Sequence, residues 1–329
     1  TAGSAGATIG GGGSSGWVQK VTDSHGTIGG GGYNQAGDGT GTIEDAAYAT
    51  VGGGFYNIAS GAWSAIGGGF YNESQAGYAT VAGGAGNAAG GEGAAVGGGV
   101  GNQATAYCAT VAGGGRTDQE DPETANRATE QFTTIGGGGA NSAGAYGATV
   151  GGGLDNEAGS QYATIGGGLD NVTSGGWVAT IGGGQQNAAV GYATVGGGAY
   201  NEALGGNACI AGGYGNQAFD TDTTVRGGGH NTAGSDNGDP EDAPYATVGG
   251  GLSNDATDWG ATVAGGVTNE ASEAFSTVAG GFENVASGNA STIGGGRENT
   301  ASGDASTIAG GGPKAWDDPT PGNLATDNY

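Results

Sequence analysis

One short phrase, [Ala/Ser]-Thr-[Ile/Val]-[Gly/Ala]-Gly-Gly, returns along nearly the whole chain, and its spacing constrains the fold more than any other feature. Its apolar anchors are Ile9, Ile28, Val51, Ile66, Val81, Val96, Val111, Ile135, Val150, Ile165, Ile181, Val195, Ile210, Val225, Val248, Val263, Val278, Ile293 and Ile308. Most neighbours lie 15 residues apart, one spacing of 16 is followed by one of 14, and four gaps are longer: 19, 23, 24 and 23. Self-similarity at a fixed period means repeated units that bury their apolar faces only by stacking on one another. A 15-residue unit is too short for a helix pair, and a run of Gly in every unit would cost a helix about 1 kcal/mol per glycine. Strands joined by tight turns, each coil hydrogen-bonded to the next, remain. The expected fold is therefore all-β, a parallel β-solenoid of about nineteen coils, which at ~4.8 Å per coil makes a rod roughly 90 Å long.

Composition agrees by exclusion. Of 329 residues 85 are Gly, and only 35% are hydrophobic, too few to fill one large globular core. Collagen is excluded, since there is no Gly-X-Y period and only 6 Pro. The regular recurrence of β-branched residues argues against a disordered chain. Acids outnumber bases 31 to 6, for a net charge of −25. Such a surface lacks the basic footprint that nucleic acids or anionic membranes require. No stretch approaches the ~18 apolar residues of a membrane span, so no direct membrane insertion is expected. The acidic, lysine-poor balance resembles that of proteins from high-salt environments. Thr1 reads as a mature or trimmed start.

The other positions of the unit also have roles. Before many anchors stands Tyr-Ala-Thr-Val, as at Tyr48-Ala49-Thr50-Val51. Strand alternation would turn Ala and Val inward and Tyr and Thr outward. That predicts an outward aromatic column of Tyr48, Trp63, Tyr78, Phe132, Tyr162, Tyr192, Tyr245 and Phe275, either buried between subunits or used to hold a receptor. Six residues after most anchors sits an Asn, including Asn57, Asn72, Asn87, Asn102, Asn156 and Asn171. Asn tolerates the left-handed region and caps its own turn, so these read as a structural ladder. Two residues further on lies a small residue, usually Ala, suited to a thin interior. The Gly triplet serves either a tight corner or a close approach of backbones.

Residues 1–312 are expected to form the repeat domain, with insertions near 14–25, 37–47, 116–131 and 234–244 on one edge, and 313–329 to form a C-terminal cap or junction tail. Two insertions are acidic, with Asp118, Glu120 and Asp121 in one and Asp236, Asp239, Glu241 and Asp242 in the other. Calcium is the one cofactor these carboxylates point to, with the second group as its ligands, although the spacing is not that of an EF-hand. Other chemistry is missing. The Gly-rich stretches belong to no βαβ unit, no Gly-Lys-Ser/Thr phosphate loop is present, and the period is not that of the calcium-binding nonapeptide repeat. His25 and His230 lack the partners of a zinc site. Cys108 and Cys209 would stand roughly 34 Å apart along the rod, too far for a disulfide. No catalytic set is assigned. Among the sequons, Asn72 and Asn171 belong to the ladder, which leaves Asn289 as the glycosylation candidate.

The run Ser276-Thr-Val-Ala-Gly-Gly-Phe-Glu-Asn-Val-Ala-Ser-Gly-Asn-Ala-Ser-Thr-Ile-Gly-Gly-Gly resembles the head repeats of trimeric autotransporter adhesins (the YadA-like head), repeats also found in viral tail fibres. The likeness covers roughly residues 7–312. It implies a parallel β-roll, three chains side by side as a homotrimer, and attachment to a host glycan or protein receptor. Neck, stalk and anchor features are missing from this sequence, which favours a virion fibre, or one block of a larger fibre built with other fibre or virion proteins. The expected function is a non-enzymatic structural and adhesive fibre, extracellular, on a virion or cell surface. The alternatives are an ice-binding solenoid, suggested by the Thr column that includes Thr50, Thr80 and Thr110, and a polysaccharide-degrading solenoid, since carboxylates are plentiful.

Overall fold

The computed structural model describes residues 4–13, 16–118, 124–239, 241–313 and 322–326. They form a parallel β-solenoid, all-β and without helices, divided into two units, Thr1–Asp170 and Asn171–Tyr329. Each coil supplies two strands, nearly all only two residues long, because fifteen residues must turn right round the coil.

In the first unit, the coil that begins at Thr50–Val51 shows the plan. The strand ends at the Gly52-Gly53-Gly54 corner. Phe55 then makes a single parallel bridge to Phe70 one coil on. Asn57 turns inward, Ile58–Ala59 forms the second strand, and a tight turn from Gly61 to Ser64 leads into Ala65–Ile66. Pairing is like on like, with Val51 opposite Ile66 and Ala59 opposite Ser74. The second unit repeats this plan: Val248 faces Val263, Ala256 faces Ala271, and Leu252 bridges Val267.

Register follows from the period. A strand shifted by one residue would expose every anchor, and a 15-residue repeat brings each anchor back over the last. Ala49, Val51, Asn57 and Ala59 are fully buried, as are Ala246, Val248, Asn254 and Ala256 in the second unit. The core is one branched side chain, one amide and two small residues thick.

Three sequence expectations need correction. The first concerns the outward Tyr positions, which lie in the turn before the strand rather than on it. Tyr48, Trp63, Tyr78, Phe132, Tyr162, Tyr245 and Phe275 have φ between 55° and 65°. Tyr192 differs because, in the coil shortened to 14 residues, Gly191 takes the positive φ instead.

The second concerns the insertions, which occupy two corners of the coil. Lys20–Val21 and Arg127–Ala128 stay in register with the second strands of neighbouring coils. Extra residues before them therefore leave from the Gly corner. The insertions 37–47 and 234–244 instead follow the second strands Gln35–Ala36 and Thr232–Ala233. Similar length concealed the difference.

The third is the end of the repeat domain. Leu324–Ala325 pairs in parallel with Thr300–Ala301, and Asn323 joins the Asn ladder through its amide to Asn299 Oδ1 at 3.0 Å. The solenoid thus resumes beyond residue 312. Residues 314–321 and 327–329, most of the expected cap, lie outside the described residues.

Candidate functional site

Two columns of side chains run from coil to coil at different corners. The inner one is the Asn ladder. Asn72 Oδ1 accepts from the Asn87 backbone N–H and Nδ2, each at 3.1 Å. Asn72 Nδ2 donates to Asn57 Oδ1, to the Gly68 carbonyl of its own coil and to the Gly84 carbonyl of the next, at 3.1, 3.0 and 2.9 Å. Every polar atom of the amide is used, which permits its complete burial. The left-handed residue is the one before the Asn, such as Tyr71 at φ 54°, and not the Asn itself. The ladder also explains the third glycine of the triplet. At Gly69, with φ +100°, an added Cβ would fall well under 3.0 Å from the Gly84 carbonyl oxygen and against Asn72 Nδ2. That position serves both the corner and the close approach.

The outer column is aromatic and exposed. In the first unit His25 stacks on Tyr48 at 4.7 Å and Tyr48 on Trp63 at 4.0 Å. Phe132 meets Tyr107 and Tyr146 edge to face, both at 5.5 Å, and Tyr146 meets Tyr162 at 5.3 Å. In the second unit Phe275 lies 6.2 Å from Trp259. Tyr78, Tyr192 and Tyr245 have no ring neighbour among the described residues. Trp63 is 53% exposed and Tyr78 62%, so the column offers most of its area to solvent.

A second aromatic surface in the first unit escaped the sequence reading. Tyr33, Tyr56 and Tyr71 stack at 4.5 and 4.6 Å, with Phe55 and Phe70 alongside, each edge-on to its neighbouring Tyr. Trp17, delivered by the first insertion, packs edge-on to Phe55 at 5.5 Å and helps line a shallow cleft of about 360 Å³. Its signal was the pair Phe-Tyr standing immediately before two ladder residues, Asn57 and Asn72. The two His residues are members of aromatic columns, for His230 sits edge-on to Tyr214 at 5.3 Å.

The acidic residues of 234–244 are exposed and largely tied to one another. Asn237 Nδ2 donates to Asp242, the Glu241 amide to Asp239 Oδ1 at 3.2 Å, and Thr221 Oγ1 to Glu241 Oε1 at 3.0 Å. Beneath the loop lies Asp220, which is buried and which the sequence reading passed over. Burial pushes its carboxyl above the usual carboxylate range; the Ser235 amide pulls it back in part, and Asp242, Asp239 and Glu241 add to the rise. In the other acidic insertion, residues 119–123 lie outside the described residues. Asn289 stands exposed in a turn, whereas Asn72 and Asn171 are buried. Cys108 and Cys209 are free thiols. No helix among the described residues is long and apolar enough to cross a membrane.

No protein-family model matches the chain, and no curated protein matches it as a relative.

Proposed function

We propose that this chain is a non-enzymatic structural and adhesive fibre, extracellular on a virion or cell surface in a high-salt setting. In this reading it associates side by side as a homotrimer, joins other fibre or virion proteins, and holds a host glycan or protein through its exposed rings. The observation that carries the proposal is the aromatic column at left-handed corners. A non-glycine residue there costs on the order of 1 kcal/mol. Gly93, Gly147 and Gly260 fill the same place in other coils with φ between 63° and 68°, so the fold accepts glycine there. Large rings kept at a strained and exposed position have a use outside the coil. Apolar surface of this extent marks contact sites, and Tyr, Trp and Phe are enriched in the buried centres of interfaces. The second platform, with Trp17 beside Phe55, presents flat faces of the kind on which sugar rings stack.

The experiment is mass measurement by light scattering in molar salt, beside binding to arrayed glycans and to candidate host cells. The expectation is three copies per particle and adhesion that falls on combined Tyr48→Gly, Trp63→Gly and Tyr78→Gly substitution. A stable monomer would refute the trimer, and unchanged adhesion in that variant would refute the role of the column.

A further inference from the structure

Among the described residues only two carboxylates are buried, Asp23 and Asp220, each 1% exposed. Both stand five residues before an anchor, Ile28 and Val225, and both lie under an insertion of the same length. Aligned without gaps, 37–47 and 234–244 share Gly37 with Gly234, Gly41 with Gly238, and Glu44-Asp45-Ala46 with Glu241-Asp242-Ala243.

The geometry repeats as well. Asp23 Oδ2 accepts from the Asp38 amide at 3.0 Å, and Asp220 Oδ2 from the Ser235 amide at 2.6 Å. Gly37 and Gly234, with φ +102° and +92°, bring these amides in, and a Cβ on either would strike the aspartate. The far side of each loop is tied back in the same way. Ser24 Oγ donates to Glu44 Oε1 and Thr221 Oγ1 to Glu241 Oε1, both at 3.0 Å.

What the protein leaves unpaired points to a ligand. Asp220 Oδ1 is buried and accepts no hydrogen bond. Asp220 lines a cavity of about 270 Å³ together with Leu204, Phe219, Ser235, Asp236, Gly238 and Asp239. An uncompensated buried carboxylate costs several kcal/mol, more than any surface ion pair returns. In the first unit the equivalent Asp23 is joined by Asp38 and Asp45, and one oxygen from each lies within 4.8 Å of the others. Oxygens spaced in that way can meet one ion at 2.3–2.6 Å.

We propose that each buried aspartate and the loop above it form a calcium site: Asp23, Asp38 and Asp45 in the first unit, where three carboxylate oxygens already converge, and in the second Asp220 with Asp236 and Asp239, which line one cavity and would draw together on the ion. The donors are all hard oxygens in loops of irregular geometry. That suits calcium, whereas magnesium demands a near-ideal octahedron and keeps its water. The ion would clamp each insertion to its coil and, in the second unit, satisfy the unpaired Asp220 oxygen beneath it. This inference does not depend on the fibre reading.

The test is calorimetric titration of the whole chelator-treated chain with calcium chloride, in molar sodium chloride. Two saturable sites per chain are expected, one in Asp220→Asn, and none in Asp23→Asn with Asp220→Asn. Wild-type protein that takes up no calcium, or a folded Asp220→Asn variant that still binds two ions, overturns the proposal. Circular dichroism checks folding. If a buried variant fails to fold, Asp45→Asn and Asp38→Asn alter the more exposed ligands of the first site, and together they should weaken that site by about 100-fold. Unchanged affinity there also overturns it. A third outcome against it is a protonated Asp220 that needs no ion. In that case Asp220→Asn melts higher and calcium leaves the wild-type melting temperature unmoved.

Discussion

Asn72 and Trp63 each belong to a column with one residue per coil, yet the columns obey different rules. From Asn34 onward the ladder column is uniform because each amide must donate to the coil before, its own coil and the coil after, and accept from the coil after. One foreign residue leaves partners unsatisfied on both sides. The Trp63 column is mixed, with His25, Cys108, Asn207, Asp222 and Ala290 at its left-handed corner as well as rings. Its side chains point out, so the coil does not select among them. Uniformity in a repeat therefore marks what the fold demands, and variation marks where the fold leaves room for a partner.

The comparison can be broken most severely from the inside. Asn72→Leu strands the Gly68 carbonyl and the Asn87 backbone N–H and takes one of two donors from Asn57 Oδ1 and from the Gly84 carbonyl, and should destabilise the surrounding coils by about 3–5 kcal/mol, read by thermal unfolding and amide exchange. Exchange confined to coils near residue 72 would confirm the nearest-neighbour character of the array. Replacing an anchor is the next largest change. Ile135→Ala empties part of a one-side-chain core and should cost about 2–5 kcal/mol, measured as a lower denaturant midpoint.

A smaller effect separates the acidic corner from both columns. The Asp220 carboxyl is raised in the fold, so the folded state binds the proton more tightly than the unfolded chain does. Stability without calcium should thus fall as pH rises from the ordinary Asp value, ~3.9, through the higher folded value. Melting curves from pH 4 to 7 should show this slope, and Asp220→Asn or added calcium should flatten it. Smallest of all in stability is Trp63→Gly. Relief of the left-handed corner, about 1 kcal/mol, offsets lost stacking of about 0.5–1.5 kcal/mol. Its melting temperature should barely move while particle mass or adhesion changes. A large drop in melting temperature would mean that the column is structural after all.

Much of this was legible in the repeat. The anchors at 15-residue spacing determine a parallel solenoid, because stacking like on like is the only way each can be covered. The same spacing sets the inward Ala and Val and marks Asn as the recurrent interior amide. The sites were less legible. Tyr-Ala-Thr-Val looks like four residues of one strand, but its Tyr is turned outward by a left-handed corner, since the strand is only two residues long. The Phe-Tyr pairs at Phe55-Tyr56 and Phe70-Tyr71 did not match the anchor phrase and so drew no notice.

The sequence by itself determined the period, the fold class, the interior chemistry and the acidic surface, all of which depend on spacing and composition. Only the tertiary structure decided which corner each insertion leaves from, and that Asp23 and Asp220 lie buried beneath two of them. It alone showed the third glycine meeting the carbonyl of the next coil. The physical reason is that these are contacts between coils. Their partners stand 14 or more residues away in sequence but only one strand spacing, ~4.8 Å, away in space.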